Sequence, residues 1–164
     1  MAGGLTIAIF SDVMSQLPPS DGSIFVPSRS VVLVGLMGSG KTSLGRRLAQ
    51  RLGLPFADSD HEVEAAAGCS VREIFERDGE AAFRTAERGV IEGLLTDGQK
   101  RVLATGGGAF IQEACRKVIL EYGLGVWLKA NLDTLVSRTA RRKTRPLLNQ
   151  GNPREILAKL IKER

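Results

Sequence analysis

Between the apolar run VVLV and the segment SLGRRLAQRLG lies GLMGSGKT, Gly35 to Thr42. The run before it has the length and composition of a buried strand. The segment after it repeats Leu44, Leu48 and Leu52 every fourth residue, one face of a helix that Gly53 closes. Glycines at the bends followed by Lys-Thr match the phosphate-binding loop G-x-x-x-x-G-K-[ST]. The motif works only if a strand runs into the loop and a helix leaves it, because backbone amides and the positive helix end must converge on phosphate oxygens. Gly38, Ser39, Gly40 and Ser43 line this cradle, Lys41 reaches the β and γ phosphates, and Thr42 offers its hydroxyl to Mg²⁺. A purine nucleotide with magnesium is the ligand this stretch predicts.

Downstream the signals keep alternating. LPFAD, RVLAT and LGVWL read as short strands; SVREIFERDGEAAFRTAERGVIEGLL reads as helix broken at Asp78 and Gly79; QEACRKVILEYG and NLDTLVSRTARR read as helices, the latter capped by Asn131 or Asp133. Asn152 followed by Pro153 starts a last helix. Such alternation predicts an α/β fold of three layers, α/β/α, around a parallel sheet, with ligands beyond the carboxyl ends of the strands. At 164 residues one domain is expected, running from 31 to 164. Residues 1 to 30, with Pro18, Pro19, Pro27 and Gly22 among weak apolar periodicity, read as a mobile or loosely docked extension.

Other classes are disfavoured. Cys69 and Cys115 form no CxxC pair, and the single His61 leaves too few soft ligands for structural zinc. The first 28 residues hold no Lys or Arg, and LTIAIF is too short to span a bilayer, so a cytoplasmic protein without membrane partners is expected. An excess of 23 Lys and Arg over 18 Asp and Glu favours anionic ligands. The basic run Arg138, Arg141, Arg142, Lys143, Arg145 lacks the interleaved aromatics that stack bases, which argues against nucleic acid.

Four further stretches carry chemistry: DSD at Asp58 to Asp60, FRTAE at Phe83 to Glu87, TGGGA at Thr105 to Ala109, and RPLL at Arg145 to Leu148. Phosphoryl transfer needs a metal, cations around the transferred group and a residue that orients or deprotonates the attacking hydroxyl. Carboxylates two apart on a strand can face the same way, so Asp58 and Asp60 can share a site. Arg84 has the planar fork that matches a carboxylate, with Glu87 one turn on to hold it. Gly106 to Gly108 suit a place where backbone must be approached closely.

With the phosphate loop, this set resembles shikimate kinase, a small P-loop kinase family related to the nucleoside monophosphate kinases, from about Val31 to Arg164. The resemblance implies ATP-dependent phosphorylation of the shikimate 3-hydroxyl, in the route to chorismate and aromatic amino acids. It gives Asp58 a link to Mg²⁺ through water and Asp60 the shikimate hydroxyls and the role of base. Arg84, supported by Glu87, would bind the shikimate carboxylate, with amides of Gly106 and Gly107 beside it. Lys41 and Arg145 would neutralise the transferring phosphoryl group, Arg145 from a mobile lid over about 141 to 152. Arg164 falls where the family has a second carboxylate-binding arginine.

Beyond that position the family continues with a tyrosine-containing segment, a fifth strand, an adenine-contacting loop and a last helix. The chain is therefore expected to stop short of the natural gene product, with one sheet edge open, and to act as a monomer. Kinases for gluconate or nucleotides are the alternative within the class; a non-catalytic nucleotide-binding module is the alternative outside it. Arg84, the triple glycine and Arg164 together match a compact polyhydroxylated carboxylate and argue against the first; the missing aromatic platform and the acceptor-side aspartate argue against the second.

Overall fold

The computed structural model describes residues 6–10, 27–140 and 151–163. Strand β1 is Thr6–Phe10, β2 Ser30–Val34, β3 Phe56–Asp58, β4 Val102–Ala104 and β5 Gly123–Lys129. They form one sheet in the order β1-β5-β2-β4-β3. The pairs β5–β2, β2–β4 and β4–β3 are parallel. Helices fill the connections: α1 Lys41–Leu52, α2 Ser59–Ala67, α3 Val71–Arg77, α4 Gly79–Thr96, α5 Glu113–Tyr122, α6 Leu132–Ala140 and α7 Pro153–Glu163.

The three layers follow from alternation along β2, whose five residues are all buried. Val31 and Leu33 face a core with Ala49 of α1, Val102 and Leu128. Val32 and Val34 face the opposite core, with Ile91 of α4 and Cys115 and Ile119 of α5. A continuous apolar run is what a strand covered on both faces requires. α1 approaches the sheet so closely at Gly45 that a Cβ there would stand 2.6 Å from Phe56 Cε2 and 3.1 Å from Leu33 Cδ1. α6 and α7 pack together through Leu135 and Leu157, against Leu36 and Met37 of the phosphate loop.

Helix ends fall where local chemistry puts them. Gly53 closes α1 in the left-handed region at φ 64°, Asn131 Oδ1 accepts from Thr134 N at 2.9 Å, and Asn152 Oδ1 accepts from Arg154 N at 3.0 Å just before α7. Ser70 and Glu73 form a reciprocal capping box at α3.

Two features differ from the sequence reading. The stretch SDHEVEAAA is a helix of its own, α2; with Ser59 and Val63 its only buried residues, it carries too little apolar periodicity to announce itself. Thr6–Phe10, within the stretch read as an extension, is instead a strand antiparallel to β5, in register from Thr6 opposite Lys129 to Phe10 opposite Gly125. The sheet is therefore mixed, and β1 covers the outer edge of β5. An outer strand presents unpaired amides and carbonyls, and TIAIF, with isoleucine and threonine, has the composition to bind them. Of the lid expected over about 141 to 152, residues 141–150, with Arg145, lie outside the described residues, as does the terminal Arg164.

Candidate active site at the carboxyl ends of the strands

The loop after β2 bends through glycines in conformations closed to other residues, with φ of 82° at Gly38 and 97° at Gly40. Gly40 is the N-cap of α1, so the first amides of that helix open into the loop. Lys41 folds back and donates from Nζ to Gly35 O at 2.7 Å and Leu36 O at 3.0 Å, which holds its charge over the cradle. Ser39 Oγ is buried without a hydrogen-bond partner among the described residues, an orphaned polar atom in a loop built to receive phosphate oxygens. From α6, Arg138 reaches the same loop, its Nη1 donating to Gly38 O at 3.3 Å and Ser39 O at 3.4 Å. The sequence singled out Arg138 only as part of a basic run, because α6 is distant in the chain.

Asp58 ends β3 and serves two neighbours. Its Oδ1 accepts from Asp60 N at 3.2 Å as the cap of α2, and its Oδ2 accepts from Thr42 Oγ1 at 2.8 Å. The helix cap and the bond to the Thr42 hydroxyl are thus combined in one carboxylate. A hydroxyl and a carboxylate side by side at the mouth of a phosphate loop fit Mg²⁺, which prefers oxygen donors and keeps waters and nucleotide oxygens as its other ligands. Among the described residues no group of three His, Cys, Asp or Glu could hold a metal.

Asp60 does not lie on the strand. It is the second residue of α2, so the cap at Asp58, rather than the two-residue alternation of a strand, sets where it points. Burial pushes its carboxyl up to about 6; the charges of Glu87 and Asp58 add to this, while Lys41 and Arg84 oppose it. Opposite it on α4, Arg84 Nη1 donates to Glu87 Oε2 at 2.8 Å, and its Nε and Nη2 donate to Glu80 Oε1 at 3.2 and 3.0 Å. Glu87 is fully buried; burial holds its carboxyl above the usual range even though Arg84 and Gln112 pull it down. Gln112, which the sequence did not single out, donates to Glu87 Oε2 at 3.3 Å. Glu87 Oε1 has no hydrogen-bond partner among the described residues.

The three glycines after β4 sit at the crossing of these groups, and none of them has positive φ. Close approach is what they permit. A Cβ on Gly106 would run into Glu87 Oε1 and stand 2.8 Å from Asp60 Oδ1; on Gly107 it would be 3.1 Å from Met37 N; on Gly108, 2.5 Å from Arg84 Nη2. The Gly106 N–H, expected to face substrate, donates to Ser59 Oγ at 2.9 Å. One loop thereby touches the phosphate cradle, the DSD turn and the arginine. Lys41, Thr42, Asp58, Asp60, Arg84, Glu87, Gly106 and Gly107, scattered over the sequence, come together here.

A family model for shikimate kinase matches residues 37–164. The chain belongs to the shikimate kinase family. A shikimate kinase of Paramagnetospirillum magneticum is 57% identical over 155 residues, 94% of this chain and 77% of that one. One of Ruegeria pomeroyi is 54% identical over 144 residues, covering 88% of this chain and 73% of the relative. Among solved structures, a shikimate kinase from Acinetobacter baumannii in complex with shikimate superposes with a TM-score of 0.80 at 42% identity, covering 88% of this chain and 79% of that chain. The α/β P-loop kinase fold read from the sequence is thereby shown, as is phosphotransferase membership with an alcohol group as acceptor.

Proposed function

We propose that this protein transfers the γ-phosphoryl group of ATP to the 3-hydroxyl of shikimate, giving 3-phosphoshikimate and ADP. The observation that carries the proposal is the convergence of Asp60, Arg84 and the glycine loop beside the phosphate cradle. It leaves one place where an acidic polyol meets a nucleotide. Arg84 is the anchor: Glu87 fixes one edge of its guanidinium, and Glu80, on the exposed side, is the partner that the shikimate carboxylate displaces. A planar fork binds a carboxylate through two parallel hydrogen bonds, which orients the ring as well as holding it.

Asp60 takes the proton of the 3-hydroxyl as the oxygen attacks the γ-phosphorus. The new O–P bond forms while the bond to the bridging β–γ oxygen breaks, and ADP leaves. A carboxylate near pH 6 is a stronger base than an ordinary aspartate yet still ionised at neutral pH, which suits it to this work. Lys41 stabilises charge on the phosphoryl oxygens, and the amides at the start of α1 hold the remaining phosphates. Mg²⁺, held by Thr42 and through water by Asp58, would supply charge neutralisation on the β and γ oxygens. Arg145 and Arg164 are assigned to the nucleotide phosphates and the shikimate carboxylate by the family resemblance. With these substrates the protein is a cytoplasmic, monomeric enzyme of aromatic biosynthesis.

The test is the product. Incubation with ATP, Mg²⁺ and shikimate should add one phosphoryl group, and phosphorus–proton correlation in the NMR spectrum should place it on the 3-oxygen. A phosphorylated 4- or 5-oxygen would show that Asp60 is not the base for the 3-hydroxyl.

A further inference from the structure

We infer that Ser59, the central residue of DSD, is a positioning residue for the acceptor: its hydrogen bond to Gly106 locks the glycine loop to the turn that carries Asp58 and Asp60. Ser59 is fully buried at the first position of α2. A serine there ordinarily caps its own helix or meets water. Here Asp58 takes the capping role, and Ser59 Oγ accepts instead from Gly106 N, 47 residues away in the chain, at 2.9 Å.

The bond matters because of what surrounds Gly106. Glu87 Oε1 and Asp60 Oδ1 occupy the space that a Cβ on Gly106 would need, and the Arg84 guanidinium occupies that of Gly108. Two carboxylates pressed toward one backbone repel each other and favour a wider gap. Of the contacts drawn at Gly106, the hydrogen bond from its N–H to Ser59 Oγ joins the loop to α2, and the ion pair of Arg84 with Glu87 anchors the α4 side. Without the bond the loop and α2 are free to part, and the base and the carboxylate anchor lose their fixed separation. A misplacement of this kind costs turnover more than it costs folding. The nucleotide cradle, built from β2 and α1, keeps its own hydrogen bonds.

The inference rests on the proposed acceptor, so its test reads the loop both with and without substrate. Ser59→Ala and Ser59→Val lack the hydroxyl; Ser59→Thr keeps it in the shape of valine and covers the case where valine disturbs the buried site. Hydrogen exchange of the Gly106 amide should be fast in the Ala and Val variants and protected in wild type and Thr. With shikimate, Ala and Val should show KM raised about tenfold and kcat lowered, from the loss of one buried hydrogen bond. Ser59→Thr should restore both, and ADP affinity should stay within about twofold throughout. Equal kinetics for Thr and Val, unchanged shikimate KM and kcat in Ser59→Ala, or a matching loss of ADP affinity would overturn the role. If wild type leaves shikimate untouched while Gly106 exchange follows the hydroxyl, the acceptor assignment has failed and the lock has not.

Discussion

At the level of single residues, the site trades stability for reactivity at Asp60. Its folded-state pKa of about 6 lies above the ordinary 3.8, so the folded protein holds that proton more tightly than the unfolded chain does. The associated stability is complete below about pH 4 and is lost as pH rises through 6. Keeping the carboxylate ionised at pH 7 therefore costs on the order of 1–3 kcal/mol. Asp60→Asn is predicted to lower kcat by about 100-fold or more, to leave ADP affinity nearly unchanged, and to raise the melting temperature at pH 7 by a few degrees. The thermal gain should disappear at pH 4, where wild type is also neutral at this position; calorimetry at the two pH values checks it, and an equal gain at both would remove the ionisation argument. Arg84 needs a gentler change, because its removal strands the buried Glu87. Arg84→Lys keeps a cation there but loses the fork, and should raise the shikimate KM by about tenfold or more while ADP binding measured by titration stays put. Burial pushes the Cys115 thiol up to about 12, which leaves it inert at neutral pH.

At the level of elements, glycine has opposite meanings in α4 and in the loop after β4. A Cβ on Gly93 meets nothing within 4 Å, whereas one on Gly106 meets two carboxylates. Gly93→Ala should stabilise the protein by about 0.5–1 kcal/mol through helix propensity. Gly106→Ala should destabilise it by about 1–3 kcal/mol and abolish turnover; urea denaturation of the two variants gives both signs. Much of this architecture was legible in the chain. The phosphate loop, Gly53, the break at Asp78 and Gly79, Asn131 and the Asn152–Pro153 start each announce a boundary through local chemistry, and the strand positions follow from apolar runs. What escaped was non-local. Ser59 and Gln112 act through partners 47 and 25 residues away, and nothing in their immediate sequence marks them. Asp60 was placed on a strand because DSD follows one, yet Asp58 stops the strand by capping α2. The glycine triplet predicts close approach to the backbone, and the protein's own Arg84, Glu87 and Asp60 are among the groups that approach it.

At the level of the whole molecule, the sheet runs parallel from β3 through β4 and β2 to β5 and is closed at one side by the antiparallel β1. Five residue pairs join β1 to β5, and β5 carries Trp127 and Leu128 into the two cores. Deleting residues 1 to 10 should uncover that edge, lower the melting temperature and promote self-association; sedimentation velocity would detect the larger species, and a monodisperse truncation of unchanged stability would show that β1 contributes nothing to the domain. The same topology brings the nucleotide cradle, the DSD turn, α4 and the glycine loop to the carboxyl ends of neighbouring strands, which is how one domain presents a donor and an acceptor to each other. The account depends on that juxtaposition being catalytic for one acid polyol. A coupled assay of ADP release with Mg²⁺ and excess ATP tests it most directly: ADP should form in a one-to-one ratio with added shikimate and stop when shikimate is consumed, and ADP release that is absent or indifferent to shikimate would contradict it.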